Sequence, residues 1–195
     1  MSQQVLEKLF DSSAKLRLLK LFLRNPNSKF THTDIRKRTL LDARGMRSQL
    51  GILSEIGLIK SSKKRNVKEY EFSLNPKFIF FEELQNLILK SSPADESKMA
   101  TKIKGLGRVK LVVISGIFMN PERGNSRADL VLVIDDVRKK KLDNFMRNLE
   151  AEAGVEIRYS LMDSDEFNYR YKMFDRFIHD TFEKPHRKLI NKILV

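Results

Sequence analysis

The chain has 195 residues, 38 of them Lys or Arg and 25 Asp or Glu, for a formal charge of +13; 41% are hydrophobic and there is no Cys or Trp. This composition can bury real cores, in one large domain or two small ones, and is too apolar for a disordered chain. Without thiols the chain has no disulfide, Cys-ligated zinc, iron–sulfur cluster or thiol nucleophile, and its three His (His32, His179 and His186) lack a metal-binding spacing such as H-x-x-x-H.

Met1-Ser2-Gln3-Gln4 offers neither a basic nor an apolar leader, and no segment approaches 18 uncharged apolar residues. A cytoplasmic protein without a membrane-spanning segment is therefore expected. Residues 1–91 hold 18 basic and 9 acidic side chains, whereas residues 92–195 hold 20 and 16. A positive excess concentrated in one half suits a polyanion; a solvated basic surface or an acidic membrane face would fit the charge equally well.

Leu6, Leu9 and Phe10 predict a first helix, and Asp11-Ser12-Ser13 caps a second that carries Leu16 to Leu23 and stops at Asn25-Pro26-Asn27. Phe30-Thr31-His32-Thr33 opens a short helix through Arg38, with Thr31 or Thr33 as N-cap. Asp42 caps a further helix running to about Ile56. On it Ala43, Met46, Leu50 and Leu53 share one face, while Arg44, Arg47 and Ser48 project outward near the start. Guanidinium groups there can bond guanine O6 and N7 in a major groove, and Gly51 allows close backbone approach; an ordinary solvated helix is the bland alternative.

Leu58-Ile59-Lys60 and Val67 to Phe72 predict two strands around the cationic turn Ser61-Ser62-Lys63-Lys64-Arg65-Asn66, with Tyr70 and Phe72 on the buried face. Helices followed by a basic-tipped hairpin, with the run Leu50 to Ile59 joining them through Gly57, resemble winged helix–turn–helix transcriptional regulators over roughly residues 5–75. The resemblance implies double-stranded DNA as partner. The helix 42–56 would read bases through Arg44, Arg47 and Ser48, Lys63, Lys64, Arg65 and Lys68 would meet the backbone or minor groove, and Thr31 and Thr33 would reach a phosphate. The apolar stretch Phe78 to Leu89 caps this core, packs elsewhere or forms a homodimer contact. The stretch around Ser91 to Ser97 reads as a linker, which sets domains at 1–91 and 98–195 with residues 92–97 between them.

Beyond it, Val109 to Gly116, Ala128 to Ile134 and Val155 to Leu161 predict strands, and Arg138 to Glu152 a helix with Leu142, Phe145, Met146 and Leu149 inward. Asp163 to Val195 reads as mostly helical, broken at Pro185, so the second half is an α+β or α/β unit. The first two strands and their loop resemble the minimal nucleotidyltransferase domain over residues 98–162. Ser115-Gly116-Ile117 stands at the family's Gly-Ser, Arg123-Gly124 at its Arg-Gly, and Arg127-Ala128-Asp129 at its Asp-x-Asp. That family's paired carboxylates hold two Mg²⁺ ions. Here Arg127 replaces one of them, Asp129 is left, and Glu156 is an imperfect companion. The resemblance therefore implies a catalytically silent domain with no cofactor, serving in dimerisation or in sensing a nucleotide or other phosphate-bearing effector near Gly116, Arg123, Arg127 and Asp129. The alternatives are an active nucleotidyltransferase targeted by its winged helix, and a protein-interaction adaptor. Phe167 to Phe177, dense in aromatics and Arg, is a core or interface stripe or a stacking platform, and His179 and His186 are surface or capping residues.

Overall fold

The computed structural model describes residues 2–63, 69–119 and 126–193. The chain is mixed α+β and divides into two units, Met1–Ala94 with Glu150–Glu156, and Asp95–Leu149 with Ile157–Val195.

In the first unit, α1 (Ser2–Leu9) leads to α2 (Ser13–Leu23), whose N-cap Ser12 accepts from the Lys15 amide. Leu16, Leu18, Leu19, Leu21, Phe22 and Leu23 are all buried, and α2 forms the centre of this core. Then follow β1 (Lys29–Thr31), α3 (His32–Thr39), α4 (Ala43–Glu55), β2 (Ile59–Lys63), β3 (Tyr70–Leu74) and α5 (Phe81–Lys90). The strands form an antiparallel sheet in the order β1-β3-β2, with Phe30 opposite Phe72 and Ser61 opposite Phe72 on the other side. α4 ends in a Schellman motif: Gly57 sits at φ 77°, its N–H donates to Ser54 and that of Leu58 to Leu53.

The structure differs from the sequence reading at several points here. The strand β1 was not foreseen, because three residues carry no periodicity; β3 supplies their pairing. Tyr70 is half exposed, and the inward face of β3 is carried by Phe72 and Leu74. The stretch read as a linker makes side-chain contacts within the first unit up to Ala94. Ser91, Pro93 and Ala94 are buried, the Lys20 ammonium donates to the Pro93 carbonyl at 2.7 Å, and Arg24 donates to the carbonyls of Ile88 and Ser91. Carbonyls that a linker would leave to water are here satisfied by buried Lys20 and half-buried Arg24. Residues 150–156 belong to the same unit: Asn25 donates to the Gly154 carbonyl at 2.7 Å, and a Cβ on Gly154 would lie 2.5 Å from the Lys20 carbonyl carbon.

The second unit opens with α6 (Glu96–Ile103), capped by Asp95, which accepts from the Ser97 and Lys98 amides. β4 (Arg108–Ile114), a 3₁₀ turn at Gly116–Phe118, β5 (Leu130–Asp135), α7 (Lys139–Ala153), β6 (Tyr159–Met162), α8 (Ser164–Lys172), α9 (Arg176–Glu183) and β7 (Arg187–Asn191) follow. The sheet order is β6-β5-β4-β7; β4 is antiparallel to both neighbours, while β5 and β6 are parallel. Leu111, Val113, Val131 and Val133 share a core with Met162, Phe167 and Ile178, and Val112, Ile114, Leu130 and Leu132 on the opposite face are equally buried. Buried on both faces, β4 and β5 read as continuous apolar runs. The expected helical tail is corrected: after Pro185 the chain becomes a strand, because the free edge of β4 takes it up, with Val112 opposite Ile190. Among the described residues no helix is long and apolar enough to cross a membrane.

Candidate nucleic-acid interface

The end of α3 and the start of α4 are fixed by a dense set of local bonds. Thr31 caps α3 in a capping box, accepting from the Asp34 amide while the Asp34 carboxylate accepts from the Thr31 amide. At the other end Leu40 turns the chain in the left-handed region, φ 55°, and Arg17 of α2 donates to the Thr39 carbonyl at 2.9 Å. Asp42 then caps α4, accepting from the amides of Arg44 at 3.1 Å and Gly45 at 2.9 Å. The Gly45 amide bond is the main cause that holds the Asp42 carboxyl below its usual range.

With that start fixed, the 3.6-residue period does the rest. Met46, Leu50 and Leu53 are buried, which leaves Arg44, Arg47 and Ser48 exposed on the opposite side, as the sequence spacing requires. No guanidinium hydrogen bond or ion pair engages Arg44 or Arg47 among the described residues. Gly51 meets no heavy atom within 4 Å of a built Cβ, so that side of the helix is open.

Lys63 is exposed at the last described position of β2, opposite Tyr70; Lys64, Arg65 and Lys68 lie outside the described residues. Thr31 and Thr33 are partly committed already. The Thr31 hydroxyl donates to Asp34 at 2.8 Å, so its proton serves the cap, and the Thr33 hydroxyl donates to Glu69 at 3.3 Å. Sequence reasoning missed Arg36, Lys37 and Lys60. All three are exposed, and the helical period around buried Ile35 and Thr39 was the signal that could have found the first two. Arg38 lies over the Phe30 ring, 5.4 Å from its centroid. Asp34 and Asp42 accept backbone amides at the helix starts, and the Arg44 charge adds to the causes that hold the Asp42 carboxyl low.

The second candidate site looks different. Asp129 is fully buried, and each of its oxygens accepts a backbone N–H: Oδ1 from Ile117 at 3.1 Å and Oδ2 from Arg158 at 2.9 Å, with the Arg158 guanidinium 3.7 Å away. Gly116, also buried and at φ 54°, donates to the Ser126 hydroxyl at 3.2 Å. Arg127 pairs with Asp180 of α9 at 3.0 Å. Arg123 lies outside the described residues. Of the residues grouped at this site, Asp129 is a carboxylate with no solvent-facing surface and both oxygens bonded to the main chain, and it ties strands and turn together. Glu156 is exposed, ahead of β6. Among the described residues no cluster of three or more His, Asp or Glu side chains could hold a metal ion.

Comparison with known protein families, with curated proteins and with solved structures finds no match to this chain.

Proposed function

We propose that this chain is a sequence-specific DNA-binding regulator whose first unit is a winged helix–turn–helix. What supports the reading is the amino-terminal part of α4: a capped, amphipathic helix holding Arg44, Arg47 and Ser48 in solvent, with neither guanidinium in an ion pair among the described residues. A helix of this kind delivers bidentate donors to base edges, while flanking cations on α3 and the β2–β3 hairpin hold the phosphates. The order α2, α3, α4, β2, β3, with β1 completing the sheet, supports this reading.

The second unit, in this proposal, is a nucleotidyltransferase-like domain without transfer chemistry. What supports a silent domain is that Asp129 serves as an internal anchor and Arg127 is paired to α9. The protein acts as a homodimer. Val5 and Leu9, one turn apart on α1, and Ile79 and Phe80 before α5 are exposed, and such apolar side chains favour self-association.

Selection of bound duplexes from a random pool tests the whole proposal. A recovered consensus, bound by wild type and lost as a preference in Arg44→Ala, supports it. Recovery of unselected sequence, with a flat response to salt, refutes it.

A further inference from the structure

The turn between α8 and α9 carries a second feature, independent of the duplex-reading face. Part of the aromatic stripe is core: Phe167 is buried, and Phe177 and Phe182 pack against its cluster. The rest points outward. Tyr169 is 67% exposed, Met173 64% and Phe174 79%.

Phe174 is expensive twice over. It leaves a large ring in water, forgoing roughly 2 kcal/mol of burial. It also sits at φ 55°, in the left-handed region that glycine occupies without strain. A glycine would remove both costs, so the ring itself is what the position supplies.

That ring is held at the end of a stack. Phe174 lies on His179 with centroids 5.2 Å apart and planes 17° apart; His179 lies on Tyr171 at 5.6 Å and 12°; Tyr171 lies on Phe167 at 5.9 Å and 20°. The ladder runs from the core to the surface, and the outer face of Phe174 is its open last rung.

The charges around it are sorted. Asp175 is spent capping α9, accepting from the Phe177 and Ile178 amides, and Glu166 pairs with Arg170 at 2.5 Å. Lys172 and Arg176, each two residues from Phe174, are exposed and have no acidic partner among the described residues. Arg176 and His179 are neighbours on one face of α9, which brings a guanidinium beside the stack.

We infer that this turn binds an unpaired nucleic-acid strand. A base stacks on the outer face of Phe174, a neighbouring base uses Tyr169, and Lys172 and Arg176 take the adjoining phosphates. A flat apolar ring flanked by uncompensated cations matches a strand with exposed bases; a purely apolar protein partner would leave the cations unanswered.

The test measures anisotropy of fluorescein-labelled oligo-dT, oligo-U, an abasic strand of equal length and a duplex at physiological salt. Wild type binds oligo-dT or oligo-U more tightly than the abasic strand, and the tighter of the two identifies DNA or RNA as the source. Phe174→Gly, which relieves the backbone and changes no charge, weakens that binding about 10-fold, while Phe174→Tyr keeps it. Its duplex affinity stays at the wild-type value, which separates this site from the face on α4. The inference is overturned if the abasic strand binds wild type as well as the strands with bases, or if Phe174→Gly matches wild type. It is equally overturned if that variant alters only the sedimentation of the protein, which would assign the ring to self-association.

Discussion

Gly116 and Asp129 occupy adjoining space so closely that a Cβ on the glycine would overlap the Oδ1 of the carboxylate. The glycine also stands at φ 54°, and the carboxylate bridges the amides of Ile117 and Arg158. Gly116→Ala therefore meets both backbone strain and a clash with a group that cannot move without losing two bonds. We expect Asp129→Ala to cost about 3 kcal/mol, from the buried Ile117 amide and the partly buried Arg158 amide left unpaired, and Asp129→Asn less, since one acceptor survives. Thermal unfolding of the three variants checks this, together with duplex binding, which Asp129→Ala should leave at the wild-type level. Retained Tm in Gly116→Ala would contradict the packing.

The two kinds of cation on the first unit should separate by their effects on DNA. Arg44→Ala is expected to lose about 1–3 kcal/mol of discrimination between a preferred and a scrambled duplex. Lys63→Ala, and Lys64→Ala beside it, should weaken every duplex to the same degree and reduce the slope of log affinity against log salt by about 1. Arg36→Ala belongs with the lysines. Salt titrations on both duplexes distinguish the classes.

Asp42 holds the start of the helix that carries Arg44. Its carboxyl lies below the usual range, chiefly through the Gly45 amide. A depressed carboxylate stabilises the fold above its unfolded pKa and loses that contribution as pH falls through the folded value. Asp42→Ala should lower both Tm and DNA affinity at neutral pH, whereas Asp42→Ser, able to cap, should restore most of both. As acid is added, wild type should converge on the alanine variant.

Lys20 offers a pH response of the same sign in a more alkaline window. Burial first, and then the neighbouring Arg24 guanidinium, push its ammonium down from 10.5 to about 7. Below about 7 folded and unfolded chains both hold the proton. Between there and 10.5 the unfolded chain holds it alone, so stability rises with pH. The slope reaches roughly 1.4 kcal/mol per pH unit within that window. Lys20→Met removes it, and urea titrations of both proteins at several pH values measure the difference.

Much of α4 was legible because local rules decide it: the Asp42 cap, the buried trio Met46, Leu50 and Leu53, and the outward Arg44 and Arg47 all follow from helical spacing and capping chemistry. Lys20 was not legible. In Leu18-Leu19-Lys20-Leu21 a charged residue reads as the solvent side, and its burial depends on carbonyls some seventy positions away, at Ser92 and Pro93. Asp129 failed for the same reason. Its partners are main-chain amides at 117 and 158, which no residue identity announces. The strand at Arg187–Asn191 lacks strict alternation, and only the edge of β4 makes it extended.

That last pairing has a consequence for synthesis. β4 is an inner strand of its sheet, yet one of its two neighbours, β7, is made more than seventy residues later. While the ribosome is producing the stretch between them, Val112 and Val113 present an unpaired apolar ribbon on one flank. Such ribbons template association with other nascent chains. Protection by a chaperone should matter most before Arg187 to Asn191 emerge, and truncation ahead of Arg187 should yield aggregates rather than a smaller folded unit.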